Sequence, residues 1–591
     1  MPPYQQAASL QTAPPAVRKS GVYGLFRLDG GPVDHRAAAA LGLGYQTEPV
    51  SGLLEAVDTA DPAACIRLDE GGIVTVFAGF LSDPAALIAA LGLPATACLA
   101  RIARAALARF GAELPARLFG EWSLLQWDRA KGSVTVMGSA ARRDPICYAR
   151  SGPNLAIAPD LFALSRIDWV GAERDDQVML ISFARFDLRR GFGDRTIYRS
   201  VSRLANGVGL TFQGGAEPLP LRCDLLAGLA PFGGTATDAL EQAEVLLRQI
   251  MQERLTRAGS AAVLLSGGLD SSLLAWAGAD AGARLLAFTS AMPPGSTTPD
   301  ELAEAALVAA TLGLQQEAIF PGPELDSYRP APAILGSSNG PSLANRHCLT
   351  EAFQQTARVH GVGLLINGTY GEGTLTARLP EHGPIPFLRR LARRMLRPGP
   401  GSSVNPNDVF HVRFAPALLA RLPDEVAAVV QGQRSPARAD ERPGLAPVLI
   451  KALAHPNEFY PGAVRMDFPF RDLRLIRLFG SLPDELLRAL GSDRGPARRM
   501  LAGRLPAAIV QRRRGRPADP DHYARLQRQA PAARGRIAAF QNAGLDALLD
   551  LDWLDGQLSE ISANGVHGVE QANRVQLTAI GAEFLLWLQD R

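Results

Sequence analysis

The chain has 591 residues, enough for about two to four domains, and its 47% hydrophobic and 20% charged residues exclude wholesale disorder. With 61 Lys plus Arg against 58 Asp plus Glu the net charge is +3, too small to make nucleic acid or an acidic membrane the organising partner. No basic segment leads into an apolar core at the start, and no apolar run nears the roughly 20 residues of a membrane span. The expectation is a cytoplasmic protein without stable membrane insertion. Five dispersed cysteines, Cys65, Cys98, Cys147, Cys223 and Cys348, show no zinc or redox spacing and read as buried thiols. Lys19, Lys131 and Lys451 are the only lysines, so lysine chemistry has few candidates.

Residues 1–19, rich in Pro, Gln and Ala without periodicity, read as a flexible tail. Strands are predicted at Gly21–Phe26, Ile73–Phe77 and Trp122–Trp127, and helices at Pro84–Leu91 and Leu99–Phe110. That mixture suits stacked sheets under helical cover. Ser20-Gly21-Val22-Tyr23-Gly24, Phe119-Gly120-Glu121-Trp122, Arg143-Asp144-Pro145 with Cys147-Tyr148-Ala149, and Asp194-Arg195-Thr196-Ile197-Tyr198 occur in the order found in the glutaminase domain of asparagine synthetases. Residues 20–225 resemble that domain, which implies a sandwich of the N-terminal-nucleophile type. Its chemistry is missing. The family's nucleophile is a cysteine whose own α-amine serves as base, whereas Ser20 fills that slot inside the chain. The family's Asn-Gly, which holds an oxyanion, is matched by Ala78-Gly79, and Ala78 has nothing to donate. The substrate-holding aspartate is matched by Ala95-Thr96-Ala97-Cys98. A degenerate domain is expected, with a structural role or a docked partner.

From 226 to 591 the pattern changes to alternating strands and helices, the mark of a doubly wound α/β fold. A helix is predicted at Thr235–Leu255, with Leu240, Leu247, Ile250 and Met251 on one face and Thr237 as cap. A buried strand at Ala262–Leu265 leads through a Gly-Gly turn into a helix at Ser271–Ala281. Glycines let the backbone approach an anion, and the helix N-terminus favours negative charge there. Asp270 beside that anion points to a shared magnesium ion. No Walker loop ending in Lys-Ser or Lys-Thr occurs. A second strand is predicted at Arg284–Thr289, whose end brings the Phe288 and Thr289 backbone to where an adenine edge lies. A helix at Asp300–Leu312, facing inward through Leu302, Ala306 and Ala309, follows.

Ser266-Gly267-Gly268-Leu269-Asp270-Ser271, with Ser272 after it, resembles the pyrophosphate loop of the asparagine-synthetase branch of the ATP-pyrophosphatase superfamily. The resemblance implies cleavage of ATP to AMP and pyrophosphate. Asn367-Gly368-Thr369-Tyr370-Gly371-Glu372-Gly373, after the apolar run Val362–Ile366, resembles the second signature Ser-Gly-Glu-Gly-Ala-Asp-Glu. On that register Asn367 and Gly368 line the nucleotide and Glu372 joins Asp270 as a magnesium ligand, while Thr369 and Gly373 replace two acidic residues. Asp467-Phe468-Pro469-Phe470-Arg471-Asp472 resembles a further fold signature. Arg494, twelve residues before Pro506, stands where the family has a phosphate-stabilising lysine. Arginine keeps the charge but not the proton donor. Two basic runs remain, Arg389–Arg397 as an amphipathic helix and Arg512–Arg516 beside the nucleotide loop, each either a binding surface or a solvated face.

An intact adenylating loop, a degenerate glutaminase domain and an altered acceptor region together resemble the lasso-peptide macrolactam synthetases. The resemblance implies ATP and Mg2+ as cofactors and a leader-free precursor peptide as substrate, with a leader-binding protein and a leader peptidase as partners. Asp270, Glu372 and Arg494 are then the catalytic candidates. The alternatives are a β-lactam-synthetase-like or ammonia-dependent amide ligase and a catalytically silent scaffold.

Overall fold

The computed structural model describes residues 19–44, 50–58, 62–142, 144–183, 193–226, 228–293, 295–296, 298–336, 346–379, 411–420, 424, 426, 464–513, 515 and 517–590. The predicted tail up to residue 18, the basic run Arg389–Arg397, Arg143, Arg514 and Arg516 lie outside them. No helix among the described residues is long and apolar enough to cross a membrane.

The front of the chain alternates apolar side chains with period two, and each strand therefore serves two cores. In β1 (Gly21–Arg27), Val22 and Phe26 face one way and Tyr23 and Leu25 the other. β1 lies in an antiparallel sheet of order β2-β1-β8-β7-β9, with β2 (Gly52–Val57), β7 (Ile146–Ser151), β8 (Asn154–Ala158) and β9 (Ser202–Leu204). The second sheet runs β11-β10-β6-β5-β4-β3. Its strands are β3 (Cys65–Glu70), β4 (Ile73–Leu81), β5 (Gly120–Asp128), β6 (Ser133–Gly138), β10 (Val208–Gln213) and β11 (Leu219–Arg222). Val22, Phe26 and Leu54 of the first sheet meet Val74, Val76, Leu125 and Val136 of the second in one buried cluster. Each such side chain contributes roughly 1.5–3 kcal/mol when taken out of water. The far side of the second sheet is covered by the helix Leu99–Phe110 through Ile102, Ala103 and Ala106.

The far side of the first sheet is covered from the other end of the chain. Tyr23, Phe162 and Leu180 share a core with Leu526, Leu554, Leu558, Val575 and Phe584. Phe162 sets its ring edge against Trp587 at 5.0 Å, and Arg174 donates to the Leu588 carbonyl at 2.8 Å. A boundary at 225/226 therefore divides the sequence pattern but not the packing.

The second half is built on a parallel sheet, order β14-β13-β12-β15-β16. Its strands are β12 (Ser260–Leu264), β13 (Arg284–Ser290), β14 (Gln315–Ile319), β15 (Leu364–Ile366) and β16 (Arg465–Asp467). Ala261 and Val263 face one helical layer and Ala262 the other, as expected for strands buried on both sides. The chain winds outward from β12 to β14 and then returns to place β15 on the free side of β12. The order reverses at the carboxyl end of β12, the place where such sheets bind ligands.

Several local expectations are corrected. The long helix is Ala236–Ala258, capped by Thr235 and Asp238 in a reciprocal capping box, while Thr237 is exposed. Its buried face is Ala239, Ala243, Leu247, Ile250, Met251, Arg254 and Leu255, with Leu240 only half-buried. The helix after the Gly-Gly turn is Leu269–Ala279, two residues earlier than predicted at each end. The next, Leu302–Leu312, buries Ala305, Val308 and Ala309 rather than Leu302 and Ala306. Only Cys147 and Cys348 are buried thiols, each pushed up to about 12 by that burial; Cys65, Cys98 and Cys223 are half-exposed.

A buried polar seam joins the two halves. Arg254 pairs with Asp467 at 2.9 Å and Asp472 at 3.4 Å, all three side chains 2% exposed. Arg465 on β16 pairs with Glu121 on β5 at 3.2 Å. The Phe80 ring lies under Arg257 at 4.7 Å, Arg254 at 5.6 Å and Arg465 at 5.7 Å. Buried pairs add little net stability, but loss of one partner strands a charge, so they hold the halves in one register.

Candidate functional site

The corner at the carboxyl end of β12 is shaped by a loop that bonds to itself. The Ser266 N–H donates to Ser271 Oγ at 3.1 Å, and the Gly268 N–H donates to Ser266 Oγ at 3.2 Å. The two hydroxyls lie 3.1 Å apart, and Ser271 Oγ also donates to the Gly268 carbonyl at 3.2 Å. Both serines therefore serve the turn itself. Gly267 has φ +66°, and a Cβ there would come within 2.7 Å of Glu304 Cβ, so the turn requires glycine on both conformational and steric grounds. Gly268 is the N-cap of the helix Leu269–Ala279, whose first N–H groups face the sheet's carboxyl edge. Leu269 and Ser272 are buried behind the loop and shape it from the core side.

Asp270, in the first turn of that helix, collects groups from two distant segments. Thr376 Oγ1 donates to Asp270 Oδ1, and Arg494 Nη1 stands 3.5 Å from Asp270 Oδ2. Glu372 is exposed on the short turn Gly371–Gly373, and its charge acts on Asp270. The Asp270 carboxyl is held above the usual carboxylate range. Burial is the main cause, Glu372 adds to it, and Thr376 and Arg494 oppose it. Asp270 and Glu372 beside a helix N-terminus form a donor set suited to a divalent cation shared with phosphate. No group of three or more His, Cys, Asp or Glu side chains able to hold a metal by themselves occurs among the described residues. Any ion here would need oxygens from its ligand.

The second signature packs directly on the first. A Cβ on Gly368 would lie 3.0 Å from Ser271 N and 3.2 Å from Asp270 Cβ, and one on Gly371 would lie 2.1 Å from Asp270 Oδ1. Asn367 is tied to β16 by its N–H to the Asp467 carbonyl at 2.9 Å, and its Oδ1 accepts from Thr369 N at 2.9 Å and Thr369 Oγ1 at 2.7 Å. Asn367 thus braces the turn. Tyr370 takes φ +78°, packs edge-on to Phe468 at 5.6 Å and lies under Arg471 at 5.5 Å.

Arg494 is partly buried, with its side chain 28% exposed. It caps the helix Gly495–Leu501 with φ +55°, an uncommon backbone state for a non-glycine residue. Its N–H donates to the Ala377 carbonyl at 3.0 Å, and the Ala497 N–H donates to Leu375 at 3.1 Å. The segment that presents Thr376 to Asp270 therefore also seats Arg494. Phe288 and Thr289 have fully buried side chains, and the Phe288 carbonyl accepts from Leu265 N at 2.8 Å. Ser290, the last residue of β13, carries a buried Oγ without a hydrogen-bond partner and sits nearer the edge where a base would lie.

Asp270, Glu372, Arg494, Ser266–Ser271, Asn367 and Gly368 come together at one corner, with Phe288 and Thr289 in the neighbouring strand. The sequence does not single out Thr376 or Ser290. The only sequence signal for Thr376 is its place three residues after Gly373, the end of the second signature. In the front half, Ser20 precedes β1 and Ala78 lies buried on β4 next to Gly79 at φ +119°.

No curated protein matches the chain. A glutamine phosphoribosylpyrophosphate amidotransferase from B. subtilis, complexed with ADP and GMP, is 11% identical over 59% of this chain and 70% of that one, at a TM-score of 0.23. A structure of the allosteric regulatory enzyme of purine biosynthesis is 10% identical over 59% and 69%, also at 0.23. At these scores neither bears on what this chain does. Residues 242–372 and 463–589 match the model of the asparagine synthase family, and the chain is asparagine-synthetase-like across that parallel-sheet half.

Proposed function

We propose that the protein is an ATP-dependent, AMP-forming amide ligase that activates an Asp or Glu side chain of a precursor peptide and closes a macrolactam with the peptide's N-terminal amine. The observation that carries this reading is that Thr376 and Arg494 converge on Asp270 at the loop Ser266–Ser271, in a chain that has Ser20 and Ala78 where the resemblance to a glutaminase calls for a nucleophile and an oxyanion donor. A ligase with no ammonia source needs an acceptor that brings its own amine.

The loop Ser266–Ser271 would hold the pyrophosphate portion of ATP at the helix N-terminus. Asp270 and Glu372 would hold Mg2+, which when bound neutralises charge on the phosphates. Arg494, beside Asp270, would meet the negative charge that grows on the leaving pyrophosphate, as a fixed cation and not as a proton donor. The substrate carboxylate attacks the α-phosphorus and the bond to pyrophosphate breaks. The peptide amine then attacks the activated carbonyl, AMP leaves with the original carboxylate oxygen, and the amine gives up a proton. Holding both peptide ends in one site replaces collision by high effective molarity. The substrate would be the leader-free core, supplied by a leader peptidase and a leader-binding protein.

The test uses a leader-free candidate core peptide, with a free N-terminus and an Asp or Glu several residues in, taken from a gene neighbouring that of this chain. It should lose one water mass with ATP and Mg2+, yielding AMP and pyrophosphate. The same peptide with an acetylated N-terminus should not cyclise while still driving ATP–pyrophosphate exchange. Conversion of free aspartate to asparagine with added ammonia, with no reaction on that peptide, would overturn the macrolactam reading.

A further inference from the structure

A second arginine reaches the nucleotide loop from the segment after Val510. Arg512 Nη1 donates to the Ser266 carbonyl at 3.1 Å, and its Nη2 donates to Glu301 Oε1 at 3.1 Å, with Glu304 at 4.0 Å. The side chain is 12% exposed. Its charge is thus taken up by protein groups, not aimed at a phosphate. The Ser266 carbonyl and the Gly267 N–H belong to one planar trans peptide and point in opposite directions. Fixing the carbonyl against Arg512 therefore aims the Gly267 N–H away from Arg512. Rotation of that peptide is the motion a Gly-Gly turn most readily permits. Gly267 also presses on Glu304, so Arg512 and the start of the helix Leu302–Leu312 hold the turn together.

The segment bearing Arg512 is itself tied to the one bearing Arg494. Arg498 donates through Nη2 to the Arg512 carbonyl at 3.2 Å and to Asp493 Oδ2 at 3.0 Å. Its Nε donates to the Asp493 carbonyl at 3.0 Å, and its Nη1 donates to the Val510 carbonyl. One side chain thus spans the residue before Arg494 and both Val510 and Arg512.

We propose that Arg512 is a positioning residue for the nucleotide loop, setting the orientation of the Ser266–Gly267 peptide, and that Arg498 keeps it in register with Arg494. Its consequence for catalysis rests on the adenylation reading above; its consequence for the loop does not. A groove of about 730 Å³ lined by Ala303, Glu304, Leu307, Ile509, Arg512 and Arg513 opens beside the guanidinium, so a small cation has access to its place.

The experiment uses the full chain without nucleotide and reads amide hydrogen exchange. Arg512→Ala should speed exchange at Gly267–Ser271 about tenfold or more, the order expected for one lost charged hydrogen bond, and leave the helix Ala236–Ala258 protected. Millimolar guanidinium should restore protection, and Arg512→Lys should be intermediate. Glu301→Gln, which loosens one of the two anchors, should speed the loop less. In ATP–pyrophosphate exchange Arg512→Ala should raise KM for ATP more than it lowers kcat. Unchanged loop exchange in Arg512→Ala, or protection lost throughout the parallel-sheet half without guanidinium rescue, would overturn the proposal. A loosened loop in a protein whose wild type shows no ATP–pyrophosphate exchange would instead refute the adenylation reading and leave this one standing.

Discussion

Gly371→Ala separates the geometry of the Asp270 corner from the stability of the fold. The backbone at Gly371 lies outside the positive-φ region, so alanine meets no conformational objection there. The obstacle is space, since the new Cβ would stand 2.1 Å from Asp270 Oδ1 and 2.8 Å from Thr376 Oγ1. Relief requires the carboxylate to swing by roughly 1 Å, because it is the movable end of a side chain and the backbone around it is not. The fold then loses at most the Thr376 hydrogen bond and the 3.5 Å pair with Arg494, together about 1–2 kcal/mol at a side chain that is 26% exposed. The chemistry loses more, because a displacement of ~1 Å in a group that places reacting atoms costs about 100-fold in rate. ATP–pyrophosphate exchange should accordingly fall about 100-fold while the thermal midpoint drops by only a few degrees. Gly363→Ala is the control, since its Cβ would meet nothing nearer than the Ala258 carbonyl at 3.7 Å. Exchange in Gly371→Ala within threefold of wild type would show that the position of Asp270 does not matter, and the mechanism built on it would fail.

Asp270→Asn should abolish exchange and yet raise the thermal midpoint at neutral pH. A carboxyl whose folded pKa is raised binds its proton more tightly in the native state, so stability falls as pH rises from the ordinary carboxylate pKa of about 4 to the raised value and stays low above it. The advantage of the asparagine variant should therefore close as pH falls through that window, and a variant less stable than wild type at pH 7 would contradict the assignment of burial as the main cause. In the front half, glutamine should yield no glutamate above background, and Ser20→Ala should leave ligase activity unchanged. Glutaminase turnover that disappears in Ser20→Ala would restore a working amidotransferase.

What the sequence by itself determined is what depends on near neighbours. The buried strand, glycine turn and helix around Ser266–Ser271 are legible because a parallel strand, a positive-φ turn and an N-terminal helix end each need particular residue types within a few positions. Ser20 and Ala78 are read in the same way, since neither side chain supplies a thiol nucleophile or an oxyanion donor whatever surrounds it. Local reading slipped where local contrast was low. The helix Leu302–Leu312 is so rich in alanine and leucine that its inner face, Ala305, Val308 and Ala309, has no apolar signature to distinguish it. The cap at Thr235 rather than Thr237 rests on Asp238 returning a hydrogen bond to the Thr235 N–H at 2.8 Å, a reciprocity that a search for single cap residues passes over. Only the tertiary structure decided which distant groups meet. Arg494 faces Asp270 across 224 residues, Thr376 across 106, and Arg512 reaches Ser266 across 246. The last helices of the chain close the core of the first sheet. No rule of spacing links such residues, because the winding of the sheet around β12 and the packing of its helices set their separation.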